Sequence, residues 1–142
     1  MKVFSTSIDI AAPPDRVYPI MADVERWHEW TPSISSVKRL GGGPFAVGAR
    51  AMVRQPKLLP AIWKVTEVRP GESFTWVSSS PGVRVVGVHR VEPTPNGSRV
   101  TLAVEMHGML AGLFARLTGA ITTKYIDFEA KGLKSRSESA GR

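Results

Sequence analysis

Among the side chains of this 142-residue chain that could do chemistry, His89 is singled out by its neighbours. Between 83 and 93, Arg84, Arg90 and Glu92 mark one side of an alternating run, and Val83, Val85, Gly87, His89 and Val91 the other. His89 is thus a lone polar side chain on an apolar face. An unperturbed imidazole titrates near pH ~6.5, so modest burial leaves it neutral, with one donor and one acceptor. Two roles fit: a core histidine satisfied by a backbone carbonyl, or a group that orients a ligand carbonyl or hydroxyl or gives it a proton. Trp63, Trp76 and Tyr125 each combine an apolar body with one polar handle. They suit a pocket for a flat or ring-bearing molecule and suit an ordinary core equally well.

Other chemistries find no support. There is no cysteine, and His28, His89 and His107 lack metal-ligand spacing, so neither a metal nor a cofactor is expected. Gly41-Gly42-Gly43 lacks the Lys-Ser/Thr and the following helix of a phosphate loop, and no G-x-S-x-G elbow occurs. Glu67 is expected at a rim and Glu105 on an outer face, which leaves no paired carboxylates inside. The net charge of +7 would suit a nucleic-acid binder. The basic residues are nevertheless spaced singly, with Lys38-Arg39 the one adjacent pair, and aromatics do not interleave with them. A solvated, mildly basic surface is the simpler reading, and nucleic acid is not expected as a partner.

The elements that must position these residues are legible in the spacing. Residues 2 to 10 alternate as a first strand. Pro13, Pro14 and Asp15 suit a helix start, but Pro19 falls inside the turn that follows and predicts a kink or two short helices. Asp23 can cap the second piece, which carries Trp27 and Trp30 before Pro32. Segments near 34–40, 48–55, 61–69, 72–80, 83–93 and 98–107 are short, rich in Val, Thr, Trp and Phe, and punctuated by Gly, Pro and Asn, as in an antiparallel meander. From Gly108 to about Arg136 one long helix is expected, with Leu110, Leu113, Phe114, Leu117, Ile121, Tyr125 and Phe128 as a single apolar stripe. Val100, Leu102, Val104 and Met106 of the last strand face it. Gly87, Gly112 and Gly119 remove volume near this seam, which leaves room for a ligand or permits close packing.

The order of these elements and several motifs resemble the polyketide cyclase/dehydrase and lipid-transport (SRPBCC) branch of the START and birch-pollen-allergen superfamily. The matching residues are Ala12-Pro13 through Val17, Asp23-Val24-Glu25-Arg26-Trp27, Trp30-Thr31-Pro32, Trp63-Lys64-Val65-Thr66-Glu67 and Phe74-Thr75-Trp76. Further on come Gly87 to Pro93, Gly97 to Thr101, and the helix end Glu129 to Lys134. Pro19 departs from the pattern. The resemblance implies one α+β domain over residues 1–142 with a helix-grip fold: a curved antiparallel sheet of about seven strands around the C-terminal helix, and two short helices after strand 1. It also implies an elongated apolar cavity between sheet and helix, and places Pro56-Lys57-Leu58-Leu59-Pro60 near its mouth, as a lid or as packing. It implies no single activity.

The expected ligand-binding residues are Trp63, Trp76, Val85, Gly87, His89, Leu102, Val104, Met106, Leu113, Phe114, Leu117, Ile121 and Tyr125. The expected function is binding of a small hydrophobic molecule: a polyketide, lipid, isoprenoid or aromatic compound. One alternative is a polyketide aromatase/cyclase or dehydratase in which His89 or Tyr125 moves protons. Another is a protein-interaction module, such as a homodimer, built on the outward Val86 and Val88. With no apolar leader and no span long enough for a bilayer, the chain is expected to be cytoplasmic.

Overall fold

Alternation of apolar and polar side chains shapes the sheet. In β1 (Lys2–Ile10), Phe4, Thr6, Ile8 and Ile10 turn inward, while Lys2, Val3, Ser5, Ser7 and Asp9 face solvent. The computed structural model, which describes residues 1–140, continues with α1 (Pro14–Ala22) and a short 3-10 helix at Val24–Glu29. Pro19 lies inside α1, and the helix ends three residues beyond it. The break foreseen from Pro19 is therefore seen as two short helices. Asp23 stands at their junction, but contrary to expectation its side chain makes no capping hydrogen bond.

Six further strands follow: β2 (Ser36–Leu40), β3 (Arg50–Arg54), β4 (Ala61–Arg69), β5 (Ser73–Ser80), β6 (Val83–Thr94) and β7 (Gly97–His107). The order across the sheet is β1-β7-β6-β5-β4-β3-β2, with every neighbouring pair antiparallel. It is a meander with the first strand added beside the last. The β6–β7 turn can meet the end of β1 because Gly97 has no side chain: a Cβ there would lie 2.2 Å from the Ile10 carbonyl oxygen.

Helix α2 (Ala111–Ser139) has 29 residues and is about 43 Å long at the usual rise. Its start is tied to the β5–β6 hairpin, with the Leu110 N–H donating to the Gly82 carbonyl at 2.9 Å. Its end is tied to the chain after β1. There the Ala11 N–H donates to the Glu138 carboxylate at 2.9 Å, and the Lys134 ammonium donates to the Asp9 carbonyl at 3.1 Å.

Burial along α2 is uneven, and this corrects the single stripe expected from the sequence. In its second half Tyr125, Ile126, Ala130, Leu133 and Ser137 are buried, whereas only Ala111 is buried in the first half. Leu113 and Leu117 remain 54% and 73% exposed. The packed face runs Ile126, Ala130, Leu133, Ser137, offset from the stripe of larger apolar residues. The dense core lies under that second half, where Val17, Met21, Val24, Trp27, Val65, Phe74, Val91, Val100 and Leu133 cluster.

The glycines on the seam are explained by packing. A Cβ on Gly87 would meet the Trp76 indole at 2.9 Å, and one on Gly119 would meet the Phe4 ring at 3.2 Å. Both positions are thus occupied by an aromatic neighbour, while Gly112 faces open space. The tightest contact was not foreseen. At Gly132 a Cβ would stand 1.9 Å from the Trp30 carbonyl oxygen, so α2 and the end of the 3-10 helix touch through their backbones.

These two helical glycines give opposite expectations. Gly132→Ala should destabilise the protein by about 1–3 kcal/mol or more despite alanine's better helix propensity, because backbone must move. Gly112→Ala should be neutral or stabilise by up to about 1 kcal/mol. Urea denaturation of the two variants checks both signs.

Candidate ligand-binding site

Between the sheet and the first half of α2 lies an open-mouthed cavity of about 640 Å³, within the size range of small-molecule sites. Trp63 of β4 and Trp76 of β5 enter its wall, as do Val85, Gly87 and His89 of β6 and Leu102, Val104 and Met106 of β7. From α2 come Leu113, Phe114, Leu117 and Tyr125. Twelve of the thirteen residues singled out in the sequence thus converge on one space. Ile121 does not. It lies in a separate, shallow groove with Pro32, Pro56, Lys124 and Phe128, because the packed face of α2 is rotated away from the large-residue stripe.

The inner wall is a cluster of rings. His89 stacks on Phe74 with centroids 4.1 Å apart and planes inclined by 12°. Trp76 meets the His89 ring edge-on at 5.7 Å, and Trp27 lies 5.4 Å from both His89 and Trp76. Trp63 extends the row to Trp76 at 5.6 Å. Trp27, absent from the residues expected to line the site, both anchors its helix and lines the cavity. Its indole N–H donates to the Met21 carbonyl at 2.9 Å, and one side of its ring borders the cavity.

His89 has the backbone-carbonyl partner of a core histidine and also lines the cavity. Its Nδ1 is 3.2 Å from the Phe74 carbonyl oxygen. That partner can only accept, so Nδ1 carries the proton and Nε2 is left as an acceptor. Nε2 makes no hydrogen bond within the described residues, and the residue borders the cavity. Burial pushes its pKa down to about 4, against a smaller upward pull from the Phe74 hydrogen bond. The imidazole is neutral at ordinary pH.

Glu129 was missed by sequence reasoning as an inward carboxyl. It projects from α2 into the cavity wall one turn beyond Tyr125 and beside Ile126. Among the described residues its only hydrogen bond is a long one, 3.5 Å, from the Ser33 hydroxyl. Burial pushes its pKa up to about 8, more than the Ser33 hydrogen bond lowers it. The signal was available: Glu129 falls on the Ile126–Leu133 face, which becomes visible only when the helix is centred on small as well as large residues.

The mouth is built by the β3–β4 loop and the first turns of α2. The Tyr125 hydroxyl donates to the Pro56 carbonyl, and Gln55 Nε2 donates to the Ser33 carbonyl at 3.3 Å. The loop is thus tied down at its base, with Lys57 in the left-handed region at φ 67°. Its tip is free, and Leu59 is 89% exposed. Across the opening stand Leu110, Leu113 and Leu117. Lys57 and Glu129 are the two residues of ordinarily charged type among the described wall residues. Among the described residues no group of three or more His, Cys, Asp or Glu side chains could hold a metal ion. No helix among them is long and apolar enough to cross a membrane.

Similar proteins share this architecture. Among solved structures, the Zhui aromatase/cyclase from Streptomyces sp. R1128 superposes with a TM-score of 0.80 at 16% identity, covering 99% of this chain and 96% of that one. A protein from Thermus thermophilus gives 0.77 at 20% identity, covering 99% and 100%. Likeness at such identities speaks to the fold alone. An uncharacterized protein of Mycobacterium tuberculosis is 23% identical over 103 residues, 70% of this chain. The match spans 62% of that relative's length, so this chain corresponds to less than two-thirds of it. The sequence profile described as polyketide cyclase / dehydrase and lipid transport matches residues 1–138. With nearly its whole length matched, the chain belongs to the polyketide cyclase/dehydrase and lipid-transport family.

Proposed function

We propose that this chain binds a small hydrophobic molecule in the cavity between its sheet and α2, and holds it without transforming it. The observation that carries this reading is the cavity itself. The far end of the same seam is closely packed, with Val17, Met21, Val24, Val91, Val100 and Leu133 all at 2% exposure or less. Against that background an apolar space of about 640 Å³ would be costly if nothing filled it, since cavity walls forfeit contacts on one side. Rings at one end and leucines at the mouth suit a ligand with a flat or cyclic portion.

An aromatase/cyclase reading is favoured by the Zhui structure, which is one. The wall offers sparse means for it. His89, with its pKa near 4, is a weak base at neutral pH. The Tyr125 phenol is already engaged by the Pro56 carbonyl. Glu129 is protonated up to about pH 8 and could serve as an acid, but it has no poised base beside it in the hydrogen-bonding scheme. Positioning alone can promote some cyclisations, so turnover is the discriminating measurement.

Binding is tested by titrating the neutral fluorophore N-phenyl-1-naphthylamine, with native mass spectrometry to fix stoichiometry. One molecule should bind per chain. Val85→Phe, which adds bulk from the sheet side, should weaken binding about tenfold or more while melting cooperatively. Absence of saturable binding to the wild type would overturn the proposal.

The two buried titratable groups give a second expectation, with opposite signs. Glu129 stays protonated in the folded state to about pH 8 but ionises above its ordinary 4.5 on unfolding, so stability is lost as pH rises between those values. His89 stays neutral to about pH 4 but takes up a proton below its ordinary 6.5 on unfolding, so stability is lost as pH falls between those values. Around pH 7.5 the His89 effect has largely faded and the Glu129 effect dominates, at about 1 kcal/mol per pH unit. Urea denaturation should show that Glu129→Gln removes this slope.

A further inference from the structure

We infer that the cavity selects a neutral ligand bearing a hydroxyl group, which donates its hydrogen to His89 Nε2, and that it discriminates against carboxylates of the same size. The inference rests on the binding reading above and specifies the ligand's polar group.

It follows from the fixed sense of the His89 imidazole. The Trp63 and Trp76 indoles also line the cavity, but their N–H groups can only donate and serve an alcohol oxygen and a carbonyl oxygen alike. The Phe74 carbonyl is acceptor-only, so the Nδ1 hydrogen is committed to it at 3.2 Å. Nε2 then has a lone pair and no hydrogen. The ring cannot turn over without losing that bond, and its stacking on Phe74 at 4.1 Å holds its plane. His89 is only 6% exposed, yet Nε2 is not among the sealed, unpartnered side-chain atoms, which are Arg39 Nε and Ser137 Oγ. The little surface it keeps is cavity wall. A buried acceptor without a partner costs free energy that a ligand hydrogen can recover. A ketone, ether or carboxylate has no hydrogen to give. Ser78, Ser80 and Thr122 also line the cavity, but their hydroxyls rotate to suit either sense and do not discriminate.

Charge excludes the acids. A carboxylate in this wall would find Glu129 and no cation to balance it except Lys57, which sits on the loop at the mouth. An unpaired buried anion is strongly disfavoured. Glu129, held protonated by its burial, can donate to the oxygen of a neutral ligand, alcohol or carbonyl, without setting a second charge beside it. An ammonium ligand would instead have to ionise Glu129 and bury the pair, with the desolvation of both charges opposing it.

The test uses pyrenes of one skeleton at pH 7, followed by fluorescence: 1-methylpyrene, 1-pyrenemethanol, 1-pyrenecarboxaldehyde, 1-pyrenecarboxylate and 1-pyrenemethylammonium. The alcohol should bind about tenfold tighter than the methyl compound, the scale of one recovered hydrogen bond, and tighter than the aldehyde, which can accept from a donor in the wall but has no hydrogen for Nε2. The carboxylate should bind weaker than all three. His89→Phe, which keeps a ring to stack on Phe74, should abolish the alcohol's advantage over 1-methylpyrene, the two being compared on the variant itself. If 1-methylpyrene and N-phenyl-1-naphthylamine both fail to bind, the cavity reading itself falls. If 1-methylpyrene binds and the alcohol is no tighter, or the carboxylate or ammonium compound binds as well as the alcohol, the selectivity is refuted. The wild-type series decides this even if His89→Phe fails to fold.

Discussion

The backbone contact between α2 and the 3-10 helix governs how the rest of the molecule is arranged. With no side chain at Gly132, the helix comes down onto the Trp30 carbonyl, and its following turns are held by Ala11 and Asp9 through Glu138 and Lys134. That closeness presses Trp27 into the seam, where its ring meets Trp76, Phe74 and His89. The aromatic wall is built outward from this anchored end. Toward its start the helix is carried by the hairpin at Gly82 and by Phe4 under Gly119, and between these supports the cavity remains. A long, rigid element pinned hard at one end and propped at the other leaves space between.

Much of this was legible because the chain punctuates itself clearly. Pro19 announced the division of the first helical segment, and the Gly-containing turns announced the meander. Alternation assigned Val85, Gly87 and His89 to one face, and the structure brings them to one wall. What escaped was rotation and volume. The sequence stripe through Leu113, Leu117 and Ile121 weights large residues, whereas the packed face of α2 mixes Ile126 and Leu133 with the small Ala130 and Ser137, which a count of large residues passes over. Ile121 therefore left the cavity and Glu129 entered it. The glycines escaped for a related reason: spacing shows where a side chain is missing, not which neighbour occupies the gap, and at Gly87 that neighbour is the Trp76 indole.

The wall also shows how a polar site is kept inexpensively in an apolar setting. His89 satisfies one nitrogen on a strand carbonyl and lies flat on Phe74, so burying the ring leaves only one atom wanting. Glu129 avoids the cost of a buried charge by keeping its proton. Each group is neutral, and each strains stability at a different end of the pH scale.

The placement of β1 has a consequence for the order of events in folding. The first strand of the chain has a single sheet partner, β7, and Lys2 must find Met106 while Ile10 finds Ser98. Closing so long a loop is an entropic cost that local hairpins do not bear. During synthesis Phe4, Ile8 and Ile10 emerge well before β7 and wait until it has been made. For that interval the chain carries an unpaired strand with an apolar face, the kind of segment most prone to seek the wrong partner. The meander can assemble without it, but α2 cannot, since its last turns are fastened to Asp9 and Ala11. Arrival of the first strand is therefore the step that lets the helix close over the sheet.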